Sequence, residues 1–234
     1  MDTKTAEATL EDYLIHGIAS DIFFADEAKS LCVEVGNHAE KVNAEGFGQL
    51  FGSIQAAYSD RQTLAVAKMF DPKDRNYPTR SIPAVLSLLE EYALLWSLPE
   101  KTALQNRLAS AGLGEPTISA MNNEQLSLAV AAHFRSTLPR TNGTDSLSLA
   151  LGKIRQARNK SIAHNEAIAQ SARTLPTWGE AESLVNYAKD VVTTMMFGFL
   201  SATMGHRGSY YATADADRTS IALTRLLKAA DLTA

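Results

Sequence analysis

Residues 179–204 read GEAESLVNYAKDVVTTMMFGFLSATM, and their pattern decides the fold class. Apolar side chains recur every three or four residues over about five turns, which is the period of a helix with one buried face. These side chains are Ala181, Leu184, Val185, Ala188, Val191, Val192, Met195, Met196 and Phe199. This stretch predicts the strongest helix of the chain.

The segments on either side repeat at the same helical spacing, and the alternating pattern of a strand is missing. Gly and Pro punctuate them. The predicted helices span about residues 10–43, 47–70, 81–97, 100–111, 119–138, a segment from about 146, and 214–230. With no internal repeat or linker, we predict one all-α domain over residues 1–234, with its core at about 10–205.

Two charged residues fall on predicted apolar stripes. Asp21 interrupts the stripe of the first helix, so it either lies at a gap in the packing or pairs with a cation. Arg61 lies on the stripe of the second helix, which comprises Phe47, Leu50, Phe51, Ile54, Ala57, Tyr58, Leu64, Ala65 and Met69. Arg61 can extend its head group to solvent, form a buried pair with Asp21, or support the basic stretch described below.

Composition narrows the class of protein. A net charge of −4 over 234 residues argues against a protein that coats nucleic acid along its whole surface. Cys32 is the only cysteine, which excludes an internal disulfide and fits a reducing compartment. The N-terminus lacks the features of a signal peptide, and residues 191–204 are too short and polar to span a bilayer. We therefore predict a cytoplasmic protein without a membrane segment.

The chemistry is predicted to lie in residues 158–164, RNKSIAH. Four cations, Lys153, Arg155, Arg158 and Lys160, fall in eight residues, and no acid occurs between residues 145 and 166. Arginine offers a fork of donors to a phosphate, and a histidine can exchange a proton near neutral pH. A basic helix face is also typical of a solvated surface, so the residues alone leave both interpretations open.

The spacing of Arg158 and His164 constrains how they could act together. Residues six apart on a helix differ by about 120° around the axis and roughly 9 Å along it. Either His164 lies where the helix frays and the chain turns back, or two copies meet across a twofold axis and share one cleft. In such a cleft, arginine would stabilise charge on a phosphate and histidine would transfer a proton.

Arg158-Asn159, four intervening residues and His164 resemble the signature of the HEPN superfamily (higher eukaryotes and prokaryotes nucleotide-binding). Two stretches resemble its abortive-infection, AbiU-like branch. Residues 158–164 resemble the branch's core motif, and residues 64–71, LAVAKMFD, resemble its helix that ends in a Phe-Asp step. The resemblance covers about residues 10–205.

The resemblance implies a helical bundle with additional helices, a twofold homodimer and a metal-independent endoribonuclease that acts as a toxin or anti-phage effector. It implies that Arg158 binds phosphate, that His164 is the acid/base or phosphate contact, and that Asn159 orients one of them. RNA, a second copy of the chain and an antitoxin or other defence-system protein are the implied partners. From charge alone, we expect Lys160 and Arg155 to be secondary RNA contacts.

Several functions are less well supported. In HEPN toxins controlled by nucleotidyltransferase antitoxins, a modified tyrosine commonly follows the histidine by two residues, whereas this chain has Glu166 there. The other histidines lack metal-ligand spacing, so we predict neither a metal nor a cofactor. The alternative function is a non-catalytic HEPN-like module that dimerises or binds RNA or a nucleotide.

Overall fold

The computed structural model describes residues 1–74, 76–159, 176–206 and 209–233. Within these ranges the regular secondary structure is helical apart from one hairpin with two-residue strands, which confirms the predicted all-α class. The α-helices are α1 (Thr3–Asp12), α2 (Ser20–Asn37), α3 (Ala39–Ala44), α4 (Gly48–Met69), α5 (Ile82–Glu91), α6 (Lys101–Ser110), α7 (Glu115–Ser119), α8 (Asn123–Thr137), α9 (Ser146–Ala157), α10 (Trp178–Leu200) and α11 (Tyr211–Ala229).

Helix α10 is the central element of the core. All nine apolar residues predicted to form its stripe are buried, because their helical spacing places them on one face. The helix packs against α9, α4, α2 and α6. Its start is fixed by a capping box, in which Thr177 and Glu180 satisfy each other's backbone N–H groups. It ends at Ser201, which adopts a left-handed conformation with φ of 50°.

The first predicted helix is divided in the structure. Between α1 and α2 lies a π-helical segment, Tyr13–Ala19, and a break at His38 separates α2 from α3. A π turn accommodates one extra residue per turn, so the helical stripe continues across it with Leu10 and Leu14 fully buried. The prediction of one uninterrupted helix was therefore wrong, although its buried stripe was largely right.

Helix α4 buries only part of the predicted stripe, namely Phe51, Ala65 and Met69. Phe47, Leu50 and Leu64 are exposed. Instead, Gln62 and Thr63 are buried, because the half of the helix near Met69 is enclosed by its neighbours on several sides. A single stripe cannot describe a helix whose surroundings change along its length.

The remaining differences concern ends of elements. The predicted helix 81–97 ends at Glu91 and continues only as a short 3-10 turn, Ala93–Leu95. A separate short helix, α7, precedes α8. Gly205–His206 pairs with Ser209–Tyr210 in a short antiparallel hairpin, and residues 207–208 of the predicted turn lie outside the described residues. The hairpin leads into α11, which packs along α2.

Among the residues that the structure describes, no helix is both long and apolar enough to cross a membrane.

Candidate functional site

Helix α9 carries Arg155 and leads directly into Arg158, the two described arginines of the basic stretch. Asp145 caps its N-terminus by accepting a hydrogen bond from the Ser148 N–H at 2.9 Å. Leu151 and Ile154 are fully buried, and they anchor the helix against α4 and α10. The chain continues past Ala157 as a π turn through Arg158 and Asn159.

Arg158 reaches the end of α4. Its Nη1 donates to Oδ1 of Asp71 at 2.7 Å, and its Nε donates to Oδ1 of Asn159 at 3.0 Å. The side chains of Arg158 and Asp71 are 24% and 29% exposed. Asn159 thus contacts the guanidinium of Arg158, which remains partly open to solvent.

Arg155 lies on the same side of α9, because residues three apart are neighbours on a helix surface. Its Nη2 donates to the carbonyl oxygen of Phe70 at 2.8 Å, and its Nη1 donates to Oγ1 of Thr141 at 2.5 Å. The last carbonyls of α4 carry partial negative charge, which favours a cation there. Burial lowers the pKa of Arg155, although the carboxylate of Asp71 acts in the opposite direction.

The structure brings together Arg155, Arg158 and Asn159. The other predicted site residues, His164 and Lys160, lie outside the described residues, as does Glu166. Their predicted roles stay predictions. The role of Arg155 as an RNA contact also stays a prediction, since two of its N–H groups are bonded within the protein.

A pocket of about 310 Å³ lies beside the Arg158–Asp71 pair, and Asp71 is one of its lining residues. Its wall is formed by the π-helical segment, the start of α2, the end of α4 and the loop before α5. The lining residues are His16, Gly17, Ser20, Asp21, Phe24, Lys68, Asp71, Pro78, Thr79 and Arg80.

The loop before α5, which forms one wall of the pocket, is held by contacts at three points. The Ser81 hydroxyl donates to the carbonyl oxygen of Asp71 at 2.7 Å, and Thr79 donates to the carbonyl oxygen of Pro72 at 3.3 Å. Arg80 forms an ion pair with Asp12 at 2.8 Å. The pocket therefore has a defined wall opposite α4.

Asp21 is buried in the wall of this pocket and pairs with a cation. Its side chain is only 9% exposed, and Oδ1 accepts from Nζ of Lys68 at 3.3 Å. Both alternatives considered for its position on the stripe, a gap in the packing and a cationic partner, therefore apply. Burial raises the pKa of Asp21, while the ammonium of Lys68 acts in the opposite direction.

The hypothesis that Arg61 pairs with Asp21 was wrong. Arg61 donates to Oε2 of Glu27 at 2.6 Å, and its guanidinium lies 4.1 Å from the ring centroid of Phe24. Glu27 lies in α2, six residues after Asp21. At this position it faces Arg61 of α4. The Arg61 side chain is 41% exposed, which agrees with a head group that reaches solvent at the edge of the stripe.

Sequence reasoning assigned no role to Asp71, Lys68 or His16. Asp71 was noted only as the end of a helix and as part of the Phe-Asp step in the family resemblance, and nothing local links it to an arginine 87 residues later. His16 lines the pocket from within the π-helical segment, which the helical period does not reveal.

An all-helical chain with Arg158-Asn159 at the end of a helix has the features predicted for HEPN-type proteins. The two stretches that carry that resemblance meet in the structure at the Arg158–Asp71 pair. Residues 8–219 match the AbiU2 family of HEPN proteins, and the chain belongs to that family. No curated protein and no solved structure matched the chain significantly. The predicted superfamily and its abortive-infection branch are thus confirmed.

Proposed function

We propose that this protein is a metal-independent endoribonuclease that acts in the cytoplasm as a toxin or anti-phage effector. The observation that carries the proposal is the position of Arg158. Its guanidinium is partly exposed, hydrogen-bonded to Asn159, and paired with Asp71, which lines a polar pocket. Membership of the AbiU2 family adds the link to abortive infection.

In the proposed reaction, the 2′-hydroxyl of RNA attacks the adjacent phosphorus and the bond to the 5′-oxygen of the next nucleotide breaks. The products are a cyclic phosphate and a free 5′-hydroxyl. Arg158 binds the phosphate by exchanging the Asp71 carboxylate for a phosphoryl oxygen, and it stabilises the charge that develops there. His164 takes the proton of the 2′-hydroxyl or supplies one to the leaving oxygen.

We further propose that two chains form the site together. Because Arg158 and His164 are six residues apart, an arginine of one copy and a histidine of the other can meet more readily than the pair in one regular helix. The composite site would contain two sets of Arg158, Asn159 and His164, flanked by Lys160 and Arg155.

The alternative is a non-catalytic module that dimerises or binds RNA or a nucleotide. The observation that favours it is the hydrogen bonding of the arginines. Arg155 and Arg158 each donate twice to groups of the protein itself, which is also what arginines do when they join two helices.

The test is cleavage of total RNA and a defined tRNA in EDTA by the wild type, Arg158→Ala and His164→Ala. We expect each variant to cut at least about 100-fold more slowly, which is the effect of losing one charge-stabilising donor, for Arg158, or one general acid or base, for His164. Arg158→Lys keeps the charge but loses the planar fork, and we expect it to be impaired as well. The matched control is Arg218→Ala, since the Arg218 side chain is 80% exposed on α11.

Folding is verified by circular dichroism, and loss of the Arg158–Asp71 pair should cost about 1 kcal/mol or less. Equal cleavage by all variants would show that the activity lies elsewhere. If the wild type is inert while RNA still binds through Arg158, the non-catalytic module is the better description.

Mixing tests the composite site. Arg158→Ala and His164→Ala chains, refolded together, form mixed dimers that contain one intact arginine and one intact histidine in the shared cleft. We expect part of the activity to return on mixing. No recovery, in a mixture shown to exchange subunits, would contradict a shared site.

A further inference from the structure

The pocket beside Arg158 is not needed for the proposed bond cleavage, yet it has the properties of a ligand site. Its volume of about 310 Å³ is at the lower end of the range for small-molecule pockets. It is lined by an aromatic ring, Phe24, and by several charged side chains. Aromatic and polar groups in one concave site suit a planar polar ligand.

The Asp21–Lys68 pair defines which hydrogen bonds that ligand must offer. Nζ of Lys68 lies 3.3 Å from Oδ1 of Asp21, and both residues line the pocket. Lysine has only donors, and an ionised carboxylate has only acceptors. Lys68 uses one of its three donors on Asp21, and Asp21 has accepting capacity left. A matching ligand must therefore present an acceptor directly beside donors.

Among the four RNA bases, guanine has this pattern on its Watson–Crick edge. Its O6 acceptor adjoins the N1–H donor, and N2–H follows on the same edge. Uracil has one donor between two acceptors, while adenine and cytosine have a single amino group beside acceptors. Only guanine offers two neighbouring donors to a carboxylate, next to an acceptor for an ammonium group.

Asp71 connects the pocket to the phosphate-binding arginine. It lines the pocket and accepts the hydrogen bond of Arg158 at 2.7 Å. We propose that the pocket binds a guanine base of RNA through Asp21 and Lys68, with a phosphate of the same strand at Arg158. This inference deepens the proposed function and rests on it for the identity of the substrate.

The burial of Asp21 supports a role beyond stability. A carboxylate that is 9% exposed loses most of its hydration, and Lys68, whose side chain is 63% exposed, is a weakly held partner. A perturbed carboxyl group in a cleft is a candidate for function. Replacement of Asp21 by Asn keeps the shape and removes the charge, so the variant should fold.

The test is calorimetric titration of the full chain with GMP, AMP, CMP and UMP. We expect GMP to bind at least about tenfold more tightly than the others, because a site built for specific donors rejects ligands that lack them. Asp21→Asn should abolish this preference, and Lys68→Met should weaken GMP binding by about threefold or more. The matched control, Asp60→Asn, removes an exposed carboxylate from the same helix as Lys68 and should change nothing.

A second set of probes separates RNA from free nucleotide. Oligouridine with one guanosine, carrying deoxyribose at that position, cannot be cut there and should bind more tightly than oligouridine alone. Binding of GMP without this preference would overturn RNA as the source. Equal binding of all four nucleotides, no binding of GMP, or a preference that survives Asp21→Asn would overturn the guanine site itself.

The two proposals can fail separately. Cleavage of RNA through Arg158 without any preference for guanine overturns this inference and leaves the ribonuclease intact. Selective binding of GMP that Asp21→Asn removes, in a protein that cuts no RNA, supports the pocket and contradicts the ribonuclease.

Discussion

Gly17→Ala tests the geometry of the pocket wall. Gly17 lies in the π-helical segment, and a Cβ added there would be 2.3 Å from Cβ of Arg80 and 2.9 Å from its carbonyl oxygen. Side-chain rotation cannot relieve these contacts, because the crowded atoms belong to the backbone or are fixed to it. The π segment and the loop at Arg80 would have to separate.

The expected magnitude combines two opposing effects. Overpacking costs about 1–3 kcal/mol, whereas alanine is about 1 kcal/mol better than glycine in a helix. We therefore expect Gly17→Ala to lower the free energy of unfolding by about 0–2 kcal/mol. Gly52→Ala is the matched control, since Gly52 is exposed in α4 and its added Cβ meets nothing within 4 Å.

Urea unfolding followed by circular dichroism measures both variants. The free energy of unfolding of Gly52→Ala should rise by about 0.5–1 kcal/mol. The two variants should therefore differ in this free energy by about 1–3 kcal/mol, which is the steric contribution alone. Separation of the π segment from the loop at Arg80 should also weaken the binding of any nucleotide in the pocket. If Gly17→Ala is as stable as Gly52→Ala, the close approach of the π segment to Arg80 is wrong.

Two further predictions concern stability. Burial raises the pKa of Asp21 above its ordinary value of 3.8, so the native state holds the proton to higher pH than the unfolded state and loses stability as pH rises through that window. Asp21→Asn should thus stabilise the protein at neutral pH, in urea unfolding, with the gain fading below about pH 4; a gain that persists there would contradict burial as the cause. Phe134→Ala should cost about 3–5 kcal/mol, because Phe134 is 1% exposed in the core, whereas Leu128→Ala on the exposed face of α8 should cost about 0.5 kcal/mol or less. Equal losses in thermal or urea unfolding would mean that Phe134 is not in the core.

The helical periods of the sequence predicted where most helices lie. The prediction succeeded best for α10, where all nine residues of the stripe are buried, because a central helix has one continuous apolar environment on that face. It succeeded only in part for α4, where Phe51, Ala65 and Met69 are buried as predicted but Leu64 is exposed and Gln62 is buried. The elements that pack against α4 change along its length, and the spacing of residues within the helix does not show which elements they are.

The candidate site was predicted only in part. The family followed in part from residues 158–164, since that motif is local in sequence, whereas the function of the basic stretch stays a prediction. The ionic partners of the two arginines, Arg61 and Arg158, could not be predicted from the sequence. Arg61 pairs with Glu27, and Arg158 pairs with Asp71, whereas the sequence offered many acids of equal chemistry.

The sequence by itself determined the all-α class, the central helix and the motif, because helical period and motif spacing are properties of neighbouring residues. Only the tertiary structure decided that the end of α4 meets the end of α9 and that the π-helical segment lines a pocket beside them. Asp71 and Arg158 lie 87 residues apart in the chain. Their contact depends on how whole helices pack, and no local pattern encodes that distance.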